Sequence, residues 1–214
     1  MAIKAKKYER KEEILNVISH GIGFLLSVAA LVLLVVFASI DGSVWHIVSY
    51  SIYGTSLVVL YLASTLFHWS KKPSRRLKLN VFDHASIYVL IAGTYTPLML
   101  VTLRGPWGWS LFGVVWGMAI LGIVLKLFFT GRYNKISTMA YLVMGWVVVI
   151  ALKSLIANLN TPGLIWLAIG GVSYSVGAVF YLLNKIPYNH AIFHLFVLGG
   201  SIAHFVTIFW YVLP

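Results

Sequence analysis

An all-α fold, a bundle of seven transmembrane helices with the N-terminus in the cytoplasm and the C-terminus outside, is what this sequence predicts. Three observations lead there. Of the 214 residues 60% are hydrophobic and only 10% are charged, against roughly 25% charged in a soluble domain. The apolar residues fall into seven long runs separated by turn residues, and the lysines and arginines collect on one side of those runs. A soluble fold of this size has nowhere to hide so much apolar surface, whereas a bilayer accommodates it.

The chain opens with a segment of both charge signs, residues 1–13, which holds Glu9, Glu12 and Glu13. It reads as a cytoplasmic lead-in suited to an interfacial amphipathic helix. The apolar run behind it is too long for a signal-peptide core, and no small-residue cleavage site follows. Residues 14–214 then form one transmembrane domain, with apolar runs at 14–40, 44–69, 81–103, 107–129, 136–156, 163–183 and 190–213. Each has about twenty residues or more, enough to cross a hydrocarbon core of ~30 Å at ~1.5 Å per residue. Asp41-Gly42-Ser43, Lys71-Lys72-Pro73-Ser74, Arg104-Gly105-Pro106, Gly131-Arg132, Asn160-Thr161-Pro162-Gly163 and Ile186-Pro187 punctuate the runs. Pro97 is expected to kink the third helix.

Orientation follows from the sixteen basic residues. Five precede the first run and five follow the second. Lys126, Arg132 and Lys135 flank the connection after the fourth run, and Lys185 follows the sixth; only Arg104 and Lys153 fall on the other side. The positive-inside rule places the crowded side in the cytoplasm. The net charge of +11 therefore reads as topology signal and lipid-headgroup contact. No basic face with interleaved aromatics is left for nucleic acid. Trp45, Trp69, Trp107, Trp109 and Trp210 sit near run ends, where an aromatic belt anchors to the interface. Gly170-Gly171 and Gly199-Gly200 suit close helix packing. The chain has no cysteine, which excludes disulfides and thiolate metal sites.

An ionisable group at membrane depth is costly and points to function. Asp83 is the one acid expected inside the helical domain. Topology puts it at the same depth as His68, at the end of the second run, and His190 and His194, at the start of the seventh. His190 and His194 are spaced i and i+4, on one helix face, and two imidazoles so placed can grip one metal ion. With His68 the set becomes three nitrogen ligands and an open position, the pattern of catalytic zinc. Ser64 lies one turn before His68 on the same face. Asp83 is placed to hold a metal-bound water, directly or through another group, and to accept its proton. Plainer readings compete. An HxxxH pair alone is weak, Asp83 suits a helix first turn, and Ser64 can bond the carbonyl at i−4. His204, ten residues past His194 and so ~15 Å deeper, is expected to bond across helices or line a cavity. His20 and His84 are expected at the cytoplasmic interface outside the site, and His46 on the outer side.

The residues carry a resemblance. Ser64-Thr65-Leu66-Phe67-His68, Phe82-Asp83-His84, Ala92-Gly93-Thr94-Tyr95-Thr96-Pro97, Pro187-Tyr188-Asn189-His190-Ala191-Ile192-Phe193-His194 and Ala203-His204-Phe205 together resemble the hemolysin III family of bacterial membrane proteins. That family is related to the progestin and adiponectin receptor superfamily. The resemblance spans nearly the whole chain. It implies seven helices in a bacterial plasma membrane and a zinc ion near the cytoplasmic face. His68, His190 and His194 would be the ligands, with Asp83 meeting the metal through water and Ser64 supporting that water. It also implies a membrane-embedded hydrolase of a lipid amide or ester, with ceramide proposed as substrate for animal relatives. Two readings of other classes stand beside it: a lipid or membrane-state sensor with structural zinc, and the pore-forming, haemolytic protein that the family's name suggests. In each the expected partners are membrane lipids.

Overall fold

In lipid a backbone N–H finds no partner outside its own chain, so each apolar run forms a helix. The computed structural model describes residues 7–213, and no strand occurs among them. Seven helices are long and apolar enough to cross a membrane: α1 (Arg10–Asp41), α2 (Val44–Trp69), α3 (Pro73–Thr102), α4 (Pro106–Phe129), α5 (Asn134–Asn158), α6 (Thr161–Leu182) and α7 (Asn189–Tyr211). Successive helices pack side by side, and α7 returns against α1 to close the ring. The α3 helix is the most enclosed.

Helix α1 begins at Arg10, ahead of the apolar run at 14, so Glu12 and Glu13 are helical. Its buried face is the polar one. Glu12, Asn16, His20, Gly23 and Ser27 point inward, while Ile14, Ile18, Ile22 and Leu25 face outward. That inversion suits a helix whose outer solvent is hydrocarbon. Gly54 of α2 lets the two backbones meet, because a Cβ there would lie 2.9 Å from Leu31 Cα.

Two helices depart from regular geometry, each for a visible reason. Pro97 cannot donate to the ladder, and the five residues after it, Leu98–Thr102, wind as a π-helix, with Leu103 N–H bonding Leu98 O at 2.8 Å. The α5 helix consists of an α segment (Asn134–Gly145), a 3-10 turn (Val147–Ala151) and a second α segment (Leu152–Asn158). Tyr95 of α3 causes the break by inserting its hydroxyl into the α5 ladder. The hydroxyl donates to Gly145 O at 2.6 Å and accepts Val148 N–H at 2.8 Å, and an inserted side chain is a recognised origin of such interruptions.

Trp69 is exposed at the end of α2 on one side of the bundle, and Trp107, Trp109 and Trp210 are exposed near helix ends on the other, as a belt at each interface requires. Arg104 stacks over the Trp45 ring at 4.7 Å. His46 holds the same end together. It accepts Ser43 N–H at Nδ1 and donates from Nε2 to Val212 O.

Candidate metal centre

Three imidazoles meet at the opposite end of the bundle. His68 ends α2, and His190 and His194 occupy the first two turns of α7. All three are buried, and they form a group able to hold a metal ion. His190 Nε2 lies 3.2 Å from His68 Nε2 and 3.1 Å from His194 Nε2. Nitrogen ligands ~2.0–2.1 Å from a tetrahedral ion lie ~3.3 Å apart, so these edges already have the spacing that zinc requires. The outer side of the cluster agrees. Ser19 donates its hydroxyl to Asn16 O, leaving its oxygen to accept from His194 Nδ1 at 3.3 Å. His194 then turns a bare Nε2 inward. The donor set fits zinc, with no sulfur and neutral nitrogen ligands.

Local sequence explains why the ligands are held there. The αL residue Tyr188 (φ 56°) turns the chain into α7. Asn189 Nδ2 donates to the last carbonyls of α6, at Phe180 and Tyr181, groups that a helix end leaves without partners. Glu12 of α1 accepts His190 N–H at 3.1 Å and so satisfies an orphan donor of α7 from another helix. Arg76 of α3 donates to Phe67 O and Ser70 O at the end of α2, which fixes the turn that carries His68. Tyr8 lies over the His190 ring at 4.5 Å and 20°. Burial raises its phenol pKa, so the hydroxyl stays neutral.

The cluster opens on a cavity of about 160 Å³ inside the bundle, lined by residues of all seven helices. Ser64, Asp83, His190 and His194 line its near end, and Tyr95, Trp146 and His204 lie deeper. Ile87, Leu90, Ile91 and Val197 make its wall mainly apolar. Ser64 Oγ is buried and has no hydrogen-bond partner among the described residues, unlike Thr65, whose hydroxyl takes the carbonyl at i−4. The expected alternative for Ser64, a bond to its own helix, is therefore not formed.

The sequence matches a known group of proteins. Residues 8–205 match the family described as haemolysin-III related. The chain belongs to the haemolysin III family. It is a multi-pass membrane protein, similar to Hemolysin-3 of Bacillus cereus, with 50% identity over 204 residues, 95% of this chain and 93% of that one. Hemolysin-3 homolog of Bacillus subtilis is 52% identical over 201 residues, 94% of each chain. The likeness reaches Monocyte to macrophage differentiation factor of Homo sapiens, 33% identical over 173 residues, 78% of this chain and 71% of that one.

Within this haemolysin III fold, His68, His190 and His194 converge as the spacing suggests. Asp83 and Ser64 face the adjoining cavity. Asp83 Oδ2 lies 3.8 Å from His84 Nδ1, so the structure brings it to the cavity and not into the imidazole cluster. His204 lines the same cavity and donates from Nε2 to Leu167 O at 3.2 Å.

Several expectations change. His20 is not an interfacial residue. It is buried, stacks flat on His194 (3.5 Å, 9°) and lines the cavity. His84 also lines the cavity beside Asp83, and Lys126, expected as a loop flank, is buried in its wall. Asp83 is not the sole acid within the helical domain, because Glu12 and Glu13 reach the centre from α1. A signal for them exists in the sequence. Glu12, Asn16, His20, Gly23 and Ser27 repeat at helical spacing through an otherwise apolar run, and a polar stripe on a membrane helix faces protein rather than lipid.

Proposed function

We propose that the centre is the active site of a zinc-dependent hydrolase that cleaves a lipid amide or ester near the cytoplasmic face. One observation carries the reading. A three-nitrogen metal set stands beside an unpartnered serine and a carboxylate, at the polar end of a mainly apolar cavity. His68, His190 and His194 would hold the ion. Zinc supplies a Lewis acid for a carbonyl and lowers the pKa of water toward ~7. Asp83 accepts the proton of the attacking water, at a carboxylate oxygen facing the cavity. Ser64 Oγ, with no bond to its own helix, orients that water or the carbonyl. Ile87, Leu90 and Ile91 take the apolar tail and exclude bulk solvent, which strengthens each polar contact at the reacting end. The cytoplasmic placement rests on the charge asymmetry of the connections.

Purified protein offered lipid amides and lipid esters in micelles tests this. Wild type should release fatty acid, and Asp83→Ala should lose at least ~100-fold in rate, as loss of a general base does. Equal product from both proteins refutes the mechanism.

A sensor with structural zinc is the second reading, favoured by the way α1 is tied to the histidines through Glu13, Asn16 and Ser19. Zinc-loaded wild type that turns over no lipid, yet loses its shape when zinc is removed, would select it.

A further inference from the structure

Glu13 lies in the charged lead-in that the sequence marks only as a topology signal, yet its carboxylate is bonded to a metal-site histidine. His68 Nδ1 is 2.7 Å from Glu13 Oε2. An ionised carboxylate only accepts, so the shared proton sits on Nδ1, and Nε2 of His68 is left bare toward His190. The carboxylate is itself held. Tyr8 N–H donates to Oε1 at 3.1 Å, and Arg76 Nη2 forms an ion pair with the same oxygen.

The placement of Arg76 makes this more than a surface ion pair. Its Nη1 donates to Phe67 O and Ser70 O, on either side of His68 and Trp69 in the chain. Its guanidinium covers the Phe67 ring at 4.4 Å. Arg76 therefore registers Glu13 against the same turn of α2 that carries the imidazole. Arg76 and His68 are both buried, and the Glu13 side chain is only 15% exposed. Asn16 completes the arrangement. Its Nδ2 is 3.3 Å from His68 Nδ1, and its Oδ1 has no partner among the described residues. Turning the Asn16 amide by 180° about its terminal bond puts a second acceptor on the same N–H.

We propose that Glu13 is a positioning residue of the metal centre: its carboxylate, clamped by Arg76, fixes the tautomer and ring plane of His68 and so sets the affinity for zinc. The inference rests on the zinc reading above. A carboxylate behind a ligating imidazole makes the ring a better donor and holds its orientation, and loss of such a partner typically lowers metal affinity ~10–100-fold. Glu12 accepts from the backbone N–H of His190, and Ser19, not a carboxylate, meets Nδ1 of His194. The effect acts through His68, and Glu13 of the charged lead-in becomes part of the metal site.

The test uses full-length protein in detergent micelles, with zinc affinity measured by competition with a chelator. Melting temperatures are recorded for metal-free and zinc-loaded forms, and the d–d spectrum is taken with cobalt in place of zinc. Glu13→Gln should weaken zinc binding ~10–100-fold, shift the cobalt bands and shrink the stabilisation that zinc confers. Zinc affinity within threefold of wild type overturns the proposal. So does a loss of melting temperature equal in the two forms, which is the mark of simple anchoring. Arg76→Lys keeps carboxylate and imidazole but removes the forked clamp, and it decides the matter if Glu13→Gln does not fold. It should weaken zinc measurably, and unchanged affinity overturns the proposal. Wild type that binds no zinc would instead defeat the reading beneath it.

Discussion

His194→Ala is the most informative single change at the centre. The His194 ring is 1% exposed, with Nε2 3.1 Å from His190 Nε2 and Nδ1 3.3 Å from Ser19 Oγ. Its removal leaves two nitrogen ligands. Zinc in structural four-ligand sites contributes ~10–16 kcal/mol in all, or ~3 kcal/mol per ligand as a lower share. At ~1.4 kcal/mol per decade, the variant should bind zinc at least ~100-fold more weakly. Melting curves make this visible. At zinc concentrations of ~100 times the wild-type Kd, binding stabilises the folded state by ~2.7 kcal/mol. The variant, then near its own Kd, gains ~0.4 kcal/mol by the same relation. At ~2–4 °C per kcal/mol for a chain of this size, the zinc-induced shift falls from ~5–10 °C to ~1 °C. The metal-free melting temperature of each protein separates a lost ligand from a damaged helix. A variant that still carries about one zinc per chain, with the wild-type shift, would refute the three-histidine site.

Gly170→Ala places a Cβ against the His204 ring, at the nitrogen that bonds Leu167 O. Overpacking of this kind costs ~1–3 kcal/mol, and an unchanged melting temperature would contradict the close approach of α6 and α7. Tyr95→Phe removes the hydroxyl that serves both Gly145 O and Val148 N–H. Two backbone groups within the span lose their partner where lipid offers no replacement, so destabilisation of ~1–3 kcal/mol is expected, and a denaturation curve matching wild type would exclude Tyr95 as the cause of the α5 break. Because the chain has no cysteine, single cysteines report topology cleanly. In intact cells an impermeant maleimide should label Asp41→Cys and leave Lys71→Cys untouched until the membrane is opened. The reverse pattern would invert the orientation.

Helix number and the imidazole cluster were legible in the sequence because each depends on a local quantity. An apolar run long enough to cross ~30 Å has one outcome in a bilayer. Once runs are counted, His68 and the His190/His194 pair must share a depth. Irregular backbone was less legible. Pro97 announces its own disturbance, whereas nothing in residues 134–158 signals that a tyrosine from α3 will split α5.

The lead-in shows the remaining limit most clearly. By itself the sequence determined that Glu12 and Glu13 sit near the membrane boundary, since charge and chain position decide that. It could not determine that Glu13 meets His68 and Arg76, that Glu12 caps α7, or that His20 stacks on His194. Those contacts join residues more than fifty positions apart in the chain. The Glu13 contacts need α1 packed on α2 and α3, those of Glu12 and His20 need α7 closed against α1, and which face of each helix turns inward is settled by packing among all of them. Depth is a property of one helix, and a site needs facing, which only the assembled bundle decides.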